Sequence, residues 1–409
     1  MQFRYLAALA LLSPVAAQAE PLTFADALAR AEANAPSLKA REAGISAARG
    51  SAVAAGRLPD PTLDLALRDF PVTGPDAGSL HRDNFTATSI GVTQPFTSPA
   101  KRQAQRTRAG AEIGVAEADA AVEARGVRLA TALAWIDLYY AQKRLAQLSS
   151  LDQSLGDLQA TVTERLAAGT ARPSQALEPD QLRAQVTDRR SGIVAEIARA
   201  RAQLVRYTGD SDPQLVGDAP IMSVDEEGLR AALDRLPALR AFDARIASSD
   251  ADVDVARADK RPDWRVSAAY ARREPVYGDL VTLGVSIDLP LFAKRRQDPK
   301  ITAAGDMATR ARLDRDAGER ELAAALDADL AEHRMHHARL MNASEALVPL
   351  AKRRAELDRD SYAAGKTDLG TTLLSTLALA EAEVDALERE AEVARDAIRI
   401  NFTYGEARP

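Results

Sequence analysis

A chain of 409 residues with a formal charge of −6 offers nothing electrostatic to a nucleic acid. It contains no cysteine, which excludes disulfides, thiolate metal ligands and a lipidated N-terminal cysteine. Past the N-terminal leader no segment is apolar enough to read as a membrane helix.

In chain order, Arg4, the apolar run from Leu6 to Ala16 and the small-residue site Ala17-Gln18-Ala19 read as a secretory signal peptide over residues 1–19. Two period-2 segments follow, at about 62–70 and 85–96, joined by the polar loop Pro71 to Asn84; in the first, Leu63, Leu65 and Leu67 alternate with Asp64 and Arg68. From Lys101 to Ala168 there is no proline, and Leu148, Leu151, Leu155, Leu158 and Val162 recur at coiled-coil spacing. Such a helix reaches on the order of 100 Å, and its partner returns over about 181–207. The plan then recurs. Strands are expected at about 264–272 and 280–289, where Val281, Leu283, Val285, Ile287 and Leu289 alternate with Thr282, Gly284, Ser286 and Asp288. Helices follow from Ile301 to Ala364, with Pro349 expected to kink or interrupt the run, and from Thr371 to Ile400.

This recurrence is a duplication. Gly91-Val92 through Ala100-Lys101-Arg102 reappears without a gap as Gly284-Val285 through Ala293-Lys294-Arg295. Likewise Ala167-Ala168-Gly169 and Gly209 reappear as Ala363-Ala364-Gly365 and Gly405. A unit of roughly 195 residues is too long, and two copies too few, for a solenoid with periods of about 20–50 residues. The expected organisation is a first repeat over 20–219, with a helical hairpin at about 101–207, and a second over 220–409, with its hairpin at about 301–404. Phe70, Phe85, Phe96, Trp264, Tyr270, Tyr277 and Phe292 fall in the hairpin regions, mostly at strand ends, where a bilayer interface places aromatics. Four strands cannot close a barrel alone, since the smallest bacterial barrels have about eight, so the sheet needs copies from other subunits.

These features resemble the TolC-like outer-membrane efflux family over nearly all of the mature sequence. The resemblance rests on Leu22-Thr23-Phe24-Ala25-Asp26-Ala27-Leu28 with Asn34-Ala35-Pro36. It rests also on Arg57-Leu58-Pro59-Asp60-Pro61, Phe70-Pro71-Val72-Thr73-Gly74-Pro75-Asp76 with Ser79-Leu80, and Gly91-Val92-Thr93-Gln94 with Lys101-Arg102, which look like the heavy-metal, CzcC-like branch. The resemblance implies a mainly α fold with a small β part. Long antiparallel coiled-coil helices would form a periplasmic α-barrel, and four strands per chain would contribute to a trimeric twelve-stranded outer-membrane barrel. It also implies a homotrimer in outer-membrane lipid, a periplasmic adaptor (membrane fusion protein), an inner-membrane RND pump, no cofactor and no nucleic acid. The function it implies is a passive exit duct for heavy-metal cations. The alternatives are a duct for drugs or other organic compounds, a type I secretion channel, or a periplasmic coiled-coil structural protein.

The family's helix reversals, where the adaptor docks, match Gly169-Thr170 and Gly365-Lys366. The aspartates that narrow the aperture in the best-known members would match Gln175 and Thr371, so that carboxylate ring is not carried over. Arg172, Glu178 and Asp368 are the candidate aperture charges instead. His333 and His337, four apart in His333-Arg334-Met335-His336-His337, share a helix face and are candidate ligands for Zn²⁺ or Cu⁺. Arg334 stands where a zincin needs its glutamate, and no catalytic motif rises above chance.

Overall fold

The computed structural model describes residues 21–80, 82–168 and 177–405, and for residues 150–155, 157–159, 161, 162 and 165 the backbone alone. The expected leader and the first helix reversal, with Gly169, Thr170 and Arg172, lie outside the described residues. The elements in chain order are β1 (Pro21–Leu22), α1 (Phe24–Asn34), α2 (Pro36–Ala54), β2 (Thr62–Arg68), β3 (Ala87–Phe96), α3 (Pro99–Ala167), α4 (Glu178–Thr208) and β4 (Gln214–Leu215). There follow α5 (Glu226–Ala232), α6 (Pro237–Ala258), β5 (Trp264–Arg272), β6 (Leu280–Ile287), α7 (Ala293–Asn342), α8 (Val348–Ala363) and α9 (Leu369–Tyr404). Strands β2, β3 and β6 are each two residues shorter than the sequence pattern suggests, because Asp69-Phe70, Phe85-Thr86 and Asp288-Leu289 lie beyond the paired ladder. Helix α7 begins earlier than expected, with Pro299 in its opening turns.

The helix ends follow local chemistry. Thr23 caps α1: its hydroxyl oxygen accepts the Asp26 amide at 3.1 Å, and the hydroxyl donates to the Asp26 carboxylate at 2.6 Å. Helix α4 stops at Gly209, whose φ of 75° is left-handed and favours glycine. Between α7 and α8 the backbone widens into a π-helical turn over Ala343–Leu347, directly before Pro349. Proline lacks the N–H of the regular ladder and its ring collides with the preceding turn. A π turn relieves that collision and lets the helical run continue, so the interruption expected at Pro349 takes this form.

Two compact units divide the chain, each drawn from both halves of the sequence. One comprises Pro36–Ala124 and Glu227–Leu326 and holds a four-stranded antiparallel sheet in the order β2-β3-β5-β6. Each hairpin pairs internally, and β3 joins β5 from Thr88↔Arg272 to Phe96↔Trp264. At the base of the sheet, Lys101 Nζ lies 2.7 Å from the Asp263 carboxylate and Arg102 Nε donates to the Gly56 carbonyl at 2.8 Å. The Lys-Arg pair of the first repeat thus locks the strand-to-helix passage.

The second unit comprises Met1–Ala35, Arg125–Glu226 and Asp327–Pro409. Its core gathers Leu22, Trp135, Ile136, Leu138, Leu204, Ile398 and Phe402. Trp135 stacks on Tyr139 at 5.2 Å, meets Phe24 edge-on at 5.6 Å and donates its indole N–H to the Leu22 carbonyl at 3.3 Å. That bond holds β1, which pairs in parallel with β4 through Leu22↔Leu215. Among the described residues, no helix is long and apolar enough to cross a membrane.

Candidate functional site

Register sorts the sheet residues onto two unlike faces, because directly opposed residues share a face. Leu65 opposes Ile90, Ile90 opposes Tyr270 and Tyr270 opposes Val281; Val92, Ala268 and Leu283 form the next such row, and Val266 opposes Val285. Leu63, Leu65, Leu67, Val281, Leu283 and Val285 are all exposed, Leu283 at 79%. This face is broad, aliphatic and uncovered. The opposite face carries Asp64, Ser89, Thr93, Arg265, Ser267, Thr282 and Ser286 among small residues. There the Thr93 hydroxyl donates to Asp64 at 3.0 Å, and Arg265 meets Asp288 at 2.5 Å. The repeat-matched glycines lie on this crowded face: a Cβ at Gly91 would come 3.0 Å from that of Ala269, and one at Gly284 2.7 Å from the Ser267 hydroxyl. Strands β2 and β6 each have one neighbour, so both lateral edges keep unpaired backbone groups within the chain.

In the second unit, α8 ends in a reversal built on Gly365. The Gly365 amide donates to the Tyr362 carbonyl at 3.0 Å and the Lys366 amide to the Ser361 carbonyl at 2.8 Å, the two bonds of a Schellman termination. Gly365 has a φ of +69°. Asp368 then opens α9 as its N-cap: its carboxylate accepts the Thr371 amide and hydroxyl, both at 3.0 Å. The Thr371 amide bond is the main cause holding the Asp368 carboxyl below its ordinary range. Glu178, at the start of α4, comes to the same place. A Cβ at Gly370 would meet a Glu178 carboxylate oxygen at 3.1 Å and one of Asp368 at 3.2 Å. Two of the three candidate aperture charges are therefore brought together at Gly370, over a cluster of Leu182, Val186, Leu369 and Leu373.

Sequence reasoning missed a polar network further along these helices. Arg144 of α3 is buried and reaches Glu196 of α4 at 2.5 Å and Glu388 of α9 by a short contact. Arg395 of α9 bridges Glu388 at 3.0 Å and Asp137 of α3 at 2.5 Å. Both arginines border a cavity of about 570 Å³ whose apolar wall is Leu133, Ala134 and Ala200. The signal available was a set of charges on otherwise alanine- and leucine-rich helices, which reads in sequence as solvated faces.

The histidines separate into two roles. His336 Nδ1 lies 2.7 Å from Asp396, which also accepts Arg399 at 2.6 Å, so α7 and α9 are tied by an Asp396-centred network. The rings of His333 and His337 stand 6.4 Å apart at 60°. Burial pushes the His333 imidazole below its ordinary range, partly opposed by Asp396. Among the described residues no group of three or more His, Cys, Asp or Glu is arranged to hold a metal ion.

Comparison with known proteins follows the same lines. Residues 228–406 match the family described as outer membrane efflux protein. The nickel and cobalt resistance protein CnrC of Cupriavidus metallidurans is 28% identical over 315 residues, spanning 73% of this chain and 70% of its own. The outer-membrane channel OprN superposes with a TM-score of 0.78 at 19% identity, covering 93% of this chain and 89% of that one. CusC, whose structures concern folding and transmembrane channel formation, superposes with a TM-score of 0.75 at 12% identity, covering 94% and 92%. The second half of the chain is thus similar to the outer membrane efflux protein family, and over nearly its whole length the fold is like that of these channels.

Proposed function

We propose that this chain is the outer-membrane exit duct of a tripartite efflux system, assembled as a homotrimer and coupled through a periplasmic adaptor to an inner-membrane RND pump. The observation that carries this reading is the sheet. Its aliphatic face suits lipid and its small, polar face suits a water-filled lumen. Lipid cannot satisfy open strand edges, so β2 and β6 must find partners in other copies. Three copies of a four-stranded sheet close a barrel of twelve strands, within the bacterial range of about 8 to 26.

The duct contributes no energy; the pump does the work, and the wall needs little chemical selectivity. Heavy-metal cations are the cargo we favour, on the resemblance of the Arg57–Pro61 and Phe70–Asp76 segments to the heavy-metal branch and the likeness to a nickel and cobalt resistance protein. The reversals at Gly169-Thr170 and Gly365-Lys366 are the proposed adaptor contacts, and Glu178 and Asp368, with Arg172, the proposed aperture charges. Cross-linking in native outer membranes tests the assembly. Trimers that withstand carbonate washing are expected, and monomers that wash off would overturn it.

A further inference from the structure

Arg272 is the one formally charged residue on the aliphatic face of the sheet among the described strand residues, and it stands at that face's outermost row. Parity and register put it there: it is paired with Thr88, beyond Tyr270, Ala268, Val266 and Trp264 on the same side of β5. It is exposed and makes no hydrogen bond or ion pair among the described residues. Neighbouring Arg273 is committed otherwise, donating to the carbonyls of Gly278 at 3.0 Å, Tyr277 at 2.6 Å and Asn84 at 3.3 Å, which ties the two hairpin loops together. Asp279 is taken up by the Tyr270 hydroxyl. Glu274 has an interaction of its own. Arg272 and Thr88 border a cavity of about 490 Å³ between those loops, whose lining also includes Leu80, Thr86, Arg273, Glu274 and Pro275. Exposed Phe85, Val276 and Tyr277 lie in the same loops.

An arginine facing hydrocarbon places its stem along the acyl region and its guanidinium at the headgroup level. There its planar fork matches a phosphate with two parallel hydrogen bonds. On the proposed barrel reading, the hairpin loops lie at the end of the sheet away from the helices, in the outer leaflet. We propose that Arg272, with the Thr88 hydroxyl and the apolar walls of Leu80 and Pro275, binds the phosphate of an outer-leaflet lipid headgroup. The inference rests on the outer-membrane reading and adds to it a specific lipid contact on each subunit.

The test uses the full-length protein in vesicles of neutral phospholipid doped with either bis-phosphorylated or dephosphorylated lipid A. Lipid retained by the purified assembly is counted by native mass spectrometry. The wild type is expected to prefer the phosphorylated form. Arg272→Gln should lose roughly tenfold of that preference, the size of one charge-assisted hydrogen bond. Arg68→Gln, a cation of β2 on the opposite face of the sheet, should leave it unchanged. Equal retention of both lipids by the wild type, an unaltered preference in Arg272→Gln, or displacement by millimolar inorganic phosphate alone would overturn the lipid assignment. Each variant is first located in cells. A wild type absent from the outer-membrane fraction would overturn the functional reading itself, whereas a wild type inserted there but indifferent to lipid phosphate overturns only this inference.

Discussion

Val266 and Val285 stand directly opposite each other across the β5–β6 pair, on the uncovered face of the sheet. Ser286, one residue along β6, opposes Arg265 on the other face. If the first face meets lipid, Val285→Arg should cost on the order of 2–4 kcal/mol near the bilayer midplane. Ser286→Arg should assemble normally and alter single-channel conductance. Heat-modifiable trimers and planar-bilayer recordings separate the two. Equal behaviour of the pair would place both residues in the same environment and remove the lipid face.

A second prediction concerns Gly365. A Cβ there would meet no atom within 4 Å, so the objection to a side chain is the backbone alone, held at a φ of +69°. Gly365→Val should strain the reversal by about 1–3 kcal/mol. Insertion and trimer formation should persist while metal tolerance of the cells falls, because the Ser361–Lys366 turn is the proposed docking surface. Gly365→Ala keeps the same φ demand with less bulk and should fall between the two. Full tolerance in Gly365→Val would separate the reversal from adaptor contact.

The sequence carried the alternating strands and the long helices because each rests on local periodicity. Leu63-Leu65-Leu67 and Val281-Leu283-Val285 show period 2, and α3 lacks proline after its opening residue. It could not carry the pairing of Leu22 with Leu215, a two-residue parallel bridge between distant segments with no periodic signal. Nor could it show that Asp368, read as an aperture charge, serves first as the N-cap of α9, although Asp368 and Thr371 have cap spacing. The Arg144 network was hidden for another reason. Whether an arginine is solvated or buried depends on what packs over it, and here α4 and α9 arrive from far along the chain.

Arg144 yields a third prediction. Arg144→Met leaves the Glu196 and Glu388 carboxylates beside a partly apolar wall without their shared cation. Removing one partner of a fully buried pair costs about 3–5 kcal/mol. Both glutamates are partly solvated, which lowers the expected loss to roughly 1–3 kcal/mol. Thermal unfolding of the purified assembly measures it. Adding Glu388→Gln should recover part of the loss, and a double variant less stable than Arg144→Met would argue against this pairing.

The histidines make a fourth prediction, on pH. Burial holds the His333 imidazole below its ordinary range, so the unfolded chain takes up this proton at a higher pH than the folded one. Its contribution to stability is therefore present above the unfolded value near 6.5 and is lost as pH falls from there through the folded value. The assembly should melt at a lower temperature at acid pH than at neutral pH, and His333→Gln should flatten that slope. A slope unchanged by His333→Gln would assign the acid sensitivity to groups other than His333.

The last prediction addresses cargo. On the proposed reading of a passive duct, selectivity is left to the pump, so the cargo is read from what the cell no longer survives when the duct is missing. Deletion of the chain should sensitise cells to Co²⁺, Ni²⁺, Zn²⁺ or Cd²⁺ and leave tolerance of detergents and dyes unchanged. Restoring the wild type should rescue growth, whereas Val285→Arg, unable to assemble, should not. His333→Ala with His337→Ala should rescue as well as the wild type, because two imidazoles with ring centres 6.4 Å apart and no third ligand among the described residues do not make a required metal station. Failure of that double variant, with normal trimers, would place metal binding on α7. Sensitivity to organic compounds alone would move the cargo from cations to drugs while leaving the duct intact.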